Sequence, residues 1–181
     1  LTRWVWFSKL YQDKFLEVEM AVLPIRVLPD PILRQKAKRV KAVDGSIKKL
    51  VADMIETLHA APGRAGLAAP QVGVSLRVIV IGITEGEDIA LINPEIVRRK
   101  GERVVTEGCL SVPGYFGMIK RAESVRAKGL DLKGKEVKIK ADELLAQALE
   151  HEVDHLNGVL YTDHLESKDE LYKIEPEVPQ L

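Results

Sequence analysis

No apolar run in this chain approaches the ~20 residues that a helix needs to cross a bilayer. The early Trp4-Val5-Trp6-Phe7 is cut short by Lys9, Asp13, Lys14, Glu17 and Glu19, and it lacks the small-residue cleavage site of a signal peptide. A charge excess is missing too. Twenty-seven basic residues balance 27 acidic ones, so no broad basic field points to nucleic acid, and neither a nucleic-acid nor a membrane role is expected. With one cysteine, Cys109, an internal disulfide is impossible, and a lone thiol fits a reducing compartment such as the cytoplasm. What is present is ordinary for a globular protein: 181 residues, 46% of them apolar and 30% charged, enough to bury a core. Residues 1–19 read as an appendage of uncertain role, and residues 20–181 as one domain opening at Met20-Ala21-Val22.

Pro24, Pro29 and Pro31 keep the stretch from Val22 to Arg34 extended, with turns. Ile47, Leu50, Val51, Met54, Ile55 and Leu58 then recur at helical spacing behind a cap at Asp44 or Ser46, and His59 closes that helix. Ala60 to Gly73 reads as a loop. Strands are expected over Arg77–Ile83, over Ile89–Ile96 with a bend at Pro94, and over Val104–Val112, Ser124–Leu132 and Glu136–Ile139, with a turn at Lys133-Gly134. Asp142 should cap a second helix that stops at Asn157-Gly158. Strands gathered between two helices predict an α+β fold with the later helix packed on the sheets.

That second helix carries His151-Glu152-Val153-Asp154-His155, an H-E-x-x-H pattern. Histidines four apart share one helix face, so their rings can converge on one ion, while Glu152 can reach a water without binding the ion itself. The bland alternative is a solvated face that happens to hold two histidines. A catalytic tetrahedral site needs a third protein ligand and one open position. The zinc-protease extension H-E-x-x-H-x-x-G-x-x-H has Gly158 in place but Tyr161 at the end, and His164 falls off register. Glu166 and Glu170 follow too closely for a ligand on a returning helix. Cys109, within Glu107-Gly108-Cys109-Leu110-Ser111, is the better candidate, and a thiolate with two imidazoles suits Fe(II), Zn, Co or Ni rather than Mg or Ca.

Three segments together resemble the peptide deformylase family: Gly66-Leu67-Ala68-Ala69-Pro70-Gln71, Glu107-Gly108-Cys109-Leu110-Ser111 and His151-Glu152-Val153-Asp154-His155-Leu156. Leu28-Pro29-Asp30-Pro31-Ile32-Leu33-Arg34 and Leu91-Ile92-Asn93-Pro94-Glu95 add to the resemblance, which spans about Met20 to His164. It implies antiparallel sheets around a central metal-binding helix, and one divalent ion per chain, ferrous by preference, held by Cys109, His151 and His155. Zn, Ni or Co would serve in preparations. It implies Glu152 as the base, with the Gln71 amide and the Leu110 N–H as donors to the oxyanion. Substrates would be N-formylmethionyl nascent polypeptides, gripped near Gly66, Gly108 and Leu110. The ribosome near its exit tunnel is a further implied partner, and the location is cytoplasmic, or organellar in a eukaryote. A methionine pocket would draw on Leu110, Ile119, Leu149 and Glu150, and Glu107 would pair with Arg121 to brace the cysteine loop.

Two positions depart from the family pattern. Arg64 stands where a glycine is usual, with Gly63 one place early, and Glu150 replaces a Gln. Neither change touches an expected ligand or the base. The competing readings are a zinc endopeptidase, which would be indifferent to Cys109, and a metal-dependent module that binds N-terminal peptides with Arg64 blocking turnover.

Overall fold

The opening segment lies against the first helix: Ala21 N–H donates to Asp53 at 3.0 Å, and Leu23 N–H to the Thr57 hydroxyl at 2.8 Å. The computed structural model describes residues 20–82 and 88–174, so the appendage expected at residues 1–19 lies outside the described residues. Helix α1 (Gly45–His59) begins where the Asp44 carboxylate accepts the otherwise orphaned N–H groups of Ser46 and Ile47. It buries Ile47, Val51, Met54 and Leu58, spaced to form one face.

Eight strands follow among the described residues: β1 (Gly66–Ala68), β2 (Val78–Ile81), β3 (Ile89–Lys100), β4 (Arg103–Cys109), β5 (Val112–Arg121), β6 (Ser124–Leu130), β7 (Glu136–Asp142) and β8 (Leu171–Lys173). All named pairings are antiparallel. The larger sheet runs β1-β2-β3-β6-β7 and the smaller one β4-β5-β8. Helix α2 (Glu143–Leu156) lays Ala146, Leu149 and Leu156 against Ile79, Ile81, Leu91, Val125 and Ala127 of the larger sheet. Helix α1 packs on Leu67, Val78, Val80 and Ile92, which point the other way along the same strands. The fold is therefore α+β, with antiparallel sheets around α2.

Several local expectations need correction. The presumed loop Ala60–Gly73 contains β1 and a 3-10 turn, Ala69–Val72, because Gly66 to Ala68 pair with Ile81 to Ile79. The single strand expected over Val104–Val112 is a hairpin, with Leu110-Ser111 at its tip. Asp142 occupies the cap position of α2 without a side-chain cap bond. It is still laddered to Ser124, and Glu143 turns the strand directly into the helix at φ 51°. Gly158 does end the helix region, at φ 75°, and an added Cβ would fall 2.7 Å from the Arg34 carbonyl, so glycine is required there.

The bend expected at Pro94 belongs to its neighbour. Asn93 adopts φ 54° and uses its side-chain amide to bond both the N–H and the carbonyl of Val40, each at 2.9 Å. Asn93→Ala removes both buried bonds and the residue type that tolerates this backbone. A loss of about 2–4 kcal/mol is expected, read from the urea midpoint.

Candidate metal centre and active site

Helix geometry places the His151 and His155 rings on one side of α2, and the β4–β5 hairpin brings Cys109 to them. His151 Nε2 and His155 Nε2 are 3.2 Å apart, His155 Nε2 lies 3.2 Å from Cys109 Sγ, and the three donor atoms all fall within 4.8 Å of one another. An ion with ~2.0 Å bonds to nitrogen and a ~2.3 Å bond to sulfur requires donor separations of about 3.3–3.6 Å, so the spacing fits one tetrahedral cation. The zinc-protease alternatives are elsewhere. Tyr161 is core, His164 bonds Asp154, Glu166 pairs with Lys120, and Glu170 accepts the Glu166 N–H.

His151 is held from behind. Its Nδ1–H donates to Glu107, leaving Nε2 for the metal side. Arg121 clamps Glu107 with two bonds, Nε to Oε2 at 3.0 Å and Nη2 to Oε1 at 2.8 Å, and its remaining Nη1 donates to Asp154 at 2.6 Å. Asp154 also accepts from His164 at 2.8 Å. Both side chains of the Arg121–Glu107 pair are 4% exposed, so this is a buried bidentate bridge and not a loose surface pair. Burial alone would raise the Glu107 pKa, but hydrogen bonds from His151 and Arg121 outweigh it and hold the group at about 2. Burial likewise opposes charge on both histidines. Bonds to Cys109 and Glu107 overcome it for His151 and raise its pKa, whereas His155, facing the His151 charge, is pushed down.

Glu152 is 3% exposed, and its Oε2 finds no hydrogen-bond partner among the described residues. Burial raises its pKa, against the opposing His151 charge, to about 7, which poises it to take and return a proton near neutrality. Gly66 was expected to serve a substrate. In the structure its first neighbour is the Glu152 carboxylate: a Cβ at position 66 would sit 2.5 Å from Glu152 Oε1. Gly66→Ala should therefore displace the Glu152 carboxylate and lower kcat by about tenfold or more, with metal content unchanged. Steady-state kinetics beside metal analysis checks this. Gly108 has no such crowding, its nearest atom being the Tyr115 carbonyl at 3.5 Å.

Gln71 is 2% exposed and fixed at both ends. Its Oε1 accepts from Ala68 N–H at 2.8 Å, so Nε2 is the end aimed at Ser111 Oγ (3.3 Å) and Cys109 Sγ (3.6 Å). The proline-rich opening ties the two loops together, Arg26 N–H donating to the Gln71 carbonyl and Leu28 N–H to that of Ser111. Leu110, at the hairpin tip, is half-buried and packs against the core cluster that α1 shares with Leu67, Ala69 and Val72.

The expected pocket needs revision. Leu149 lies on the α2 stripe that faces the sheet and is wholly buried, while Glu150 accepts from Arg99 at 2.5 Å and from Ala122 N–H at 2.9 Å. Neither is free to line a cleft, and the carboxylate at position 150 has a cation to meet. Arg64 donates to the Thr57 carbonyl near the end of α1, at 2.5 Å, so its guanidinium is engaged there. Asp154 was missed altogether, because its partner Arg121 lies 33 residues away in sequence.

A profile of the polypeptide deformylase family matches residues 22–171. A peptide deformylase of Dehalococcoides mccartyi (strain CBDB1) is 58% identical over 159 residues, covering 87% of this chain and 95% of the relative. The crystal structure of a peptide deformylase from Legionella pneumophila is 48% identical, with a TM-score of 0.79 over 83% of this chain and 89% of that one. That of the Synechococcus elongatus peptide deformylase in complex with actinonin is 39% identical, with a TM-score of 0.78 over 86% and 87%. The chain therefore belongs to the polypeptide deformylase family, metal-dependent hydrolases that remove the N-formyl group from newly made polypeptides.

Proposed function

We propose that Cys109, His151 and His155 hold a ferrous ion, and that Glu152 is the base that drives deformylation of N-formylmethionyl polypeptides at this centre. The convergence of one thiol and two imidazoles beside a buried carboxylate whose Oε2 has no hydrogen-bond partner among the described residues carries the reading. When bound, a divalent cation supplies the Lewis acidity that acidifies water and polarises a carbonyl oxygen. Glu152 accepts a proton as water adds to the formyl carbon. The Nε2–H of Gln71, already oriented by Ala68, and the Leu110 N–H donate to the oxyanion as it forms. Glu152 then delivers the proton to the departing amine, the C–N bond breaks, and formate and a free N-terminus result.

β1 and β4 are edge strands of their sheets, with Gly66 on one and Cys109 ending the other. An extended peptide adding to such an edge would place its N-terminus at the centre, and Gly66, Gly108 and Leu110 would supply its closest backbone. Zinc, nickel or cobalt would fill the same donors in preparations. The nascent chain is the substrate in this reading and the ribosome near the exit tunnel the supplier, which places the work in the cytoplasm, or in an organelle of a eukaryote.

The test is formate release from N-formyl-Met-Ala-Ser by protein loaded anaerobically with Fe(II), beside its apo form. Turnover that requires the metal and decays in air, as iron and thiolate oxidise, supports the reading; equal turnover by the apo form would sink it. Cys109→Ser should lower iron affinity by about tenfold or more, because a hydroxyl is a poor ligand for a borderline-soft ion. An unchanged binding isotherm would remove Cys109 from the ligand set.

A further inference from the structure

Helix α2 covers one face of the larger sheet, but α1 covers the other only at its β1-β2-β3 end. Beyond α1 the outer face of β3, β6 and β7 first carries paired charges, Lys128 with Glu95 and Lys138 with Glu136, and then a cluster of cations at its far end. Strand register sets Arg98 opposite Arg126 and Arg126 opposite Lys140, three cations in one row across three strands. Lys100 stands in the adjoining row, opposite Ser124. These four cations, with Ser124 and Asp142, line an open depression of about 310 Å³. All four are exposed and make no ion pair among the described residues.

Like charges directly opposite on a sheet cost stability, so the row calls for a physical reason. Protection against edge-to-edge pairing accounts for Lys140, since β7 is an edge strand. It does not account for Arg98 and Arg126, because β3 and β6 are interior. Nor does overall composition, since the chain's net charge is zero.

We propose that this face docks the phosphate backbone of RNA. Guanidinium forks match phosphate oxygens, and three cations at interstrand spacings of about 4.8 Å span about 10 Å, room for about three successive phosphates. No aromatic side chain lines the depression and its one apolar member, Val125, is buried. Base stacking, membrane insertion and the apolar anchors of a protein interface are thereby disfavoured, and backbone recognition without sequence preference is what remains.

The test is fluorescence anisotropy with a labelled single-stranded RNA of about 20 nucleotides, from ~50 to ~200 mM salt. The triple variant Arg98→Ala, Arg126→Ala, Lys140→Ala should bind at least tenfold more weakly, and the slope of log K against log salt should flatten by about 2, the share of three phosphate contacts. Its formate release from a short formyl peptide should stay at the wild-type rate, showing an intact fold. A control triple variant on other exposed lysines, Lys36→Ala, Lys41→Ala, Lys173→Ala, should keep wild-type RNA affinity. Absence of salt-sensitive RNA binding by the wild type, or equal losses in the two triple variants, would overturn the proposal. So would tighter engagement of the Arg98 row by polyglutamate or by phosphatidylserine vesicles.

Discussion

Replacing Glu152 by Ala should leave the metal in place and lower formate release by about two to four orders of magnitude, the span that a positioned acid–base group contributes. The expectation follows from what Glu152 does and does not touch. It is not one of the three side chains, Cys109, His151 and His155, proposed to hold the metal, so metal content should hold at the wild-type level. Its Oε2 lacks a hydrogen-bond partner among the described residues, and burial pushes its pKa to about 7, so the fold gains little from the carboxylate and the variant should melt no lower than the wild type. Glu152→Gln keeps the shape that Gly66 accommodates and removes only the proton-accepting chemistry. It should lose as much activity as Glu152→Ala. Near-wild-type turnover by either variant, fully metallated, would remove Glu152 from the role of base.

The second large effect concerns stability. Arg121→Leu leaves Glu107 and Asp154 without their cation, one of them almost wholly buried. Breaking one partner of a buried pair costs about 3–5 kcal/mol, a large part of a typical domain's stability, so the denaturant midpoint should fall sharply. Glu107 would also be released from the clamp that orients His151, and metal affinity should drop by about tenfold to a hundredfold. Arg121→Lys should restore only part of either quantity, because an ammonium cannot reproduce the two-bond fork while also reaching Asp154. A pH signature accompanies the bridge. The folded pKa of Glu107, about 2, lies below its ordinary 4.5, so its stabilisation is complete above pH 4.5 and is lost as pH falls towards 2. That acid limb should shrink in Arg121→Leu. Equal midpoints for wild type and Arg121→Leu would contradict the account of the bridge.

Local signals made much of the molecule legible. The α1 stripe, the Asp44 cap and the Asn157-Gly158 stop are short-range features, and all lie where periodicity and turn chemistry place them. The H-E-x-x-H spacing is equally local, because a helix converts four residues into one face. What escaped depends on pairing at long range. β1 is three residues of Gly-Leu-Ala and becomes a strand only because β2 offers it a ladder. The hairpin tip at Leu110-Ser111 lacks the usual turn residues, so β4 and β5 read as one strand. Arg121–Asp154 and Gly66 beside Glu152 are contacts between elements far apart in the chain, and no spacing announces them. Leu149 and Glu150 were misread for the opposite reason. Glu150 and Leu149 point about 100° and about 200° around the helix from His151, and they serve Arg99 and the core.

The central claim is the ligand set, and X-ray absorption at the iron edge of the anaerobically loaded protein tests it most directly. The account predicts one sulfur scatterer at about 2.3 Å with nitrogen or oxygen scatterers at about 2.0–2.2 Å, two of them imidazole. A first shell without sulfur, or with sulfur but no imidazole signature, would contradict it.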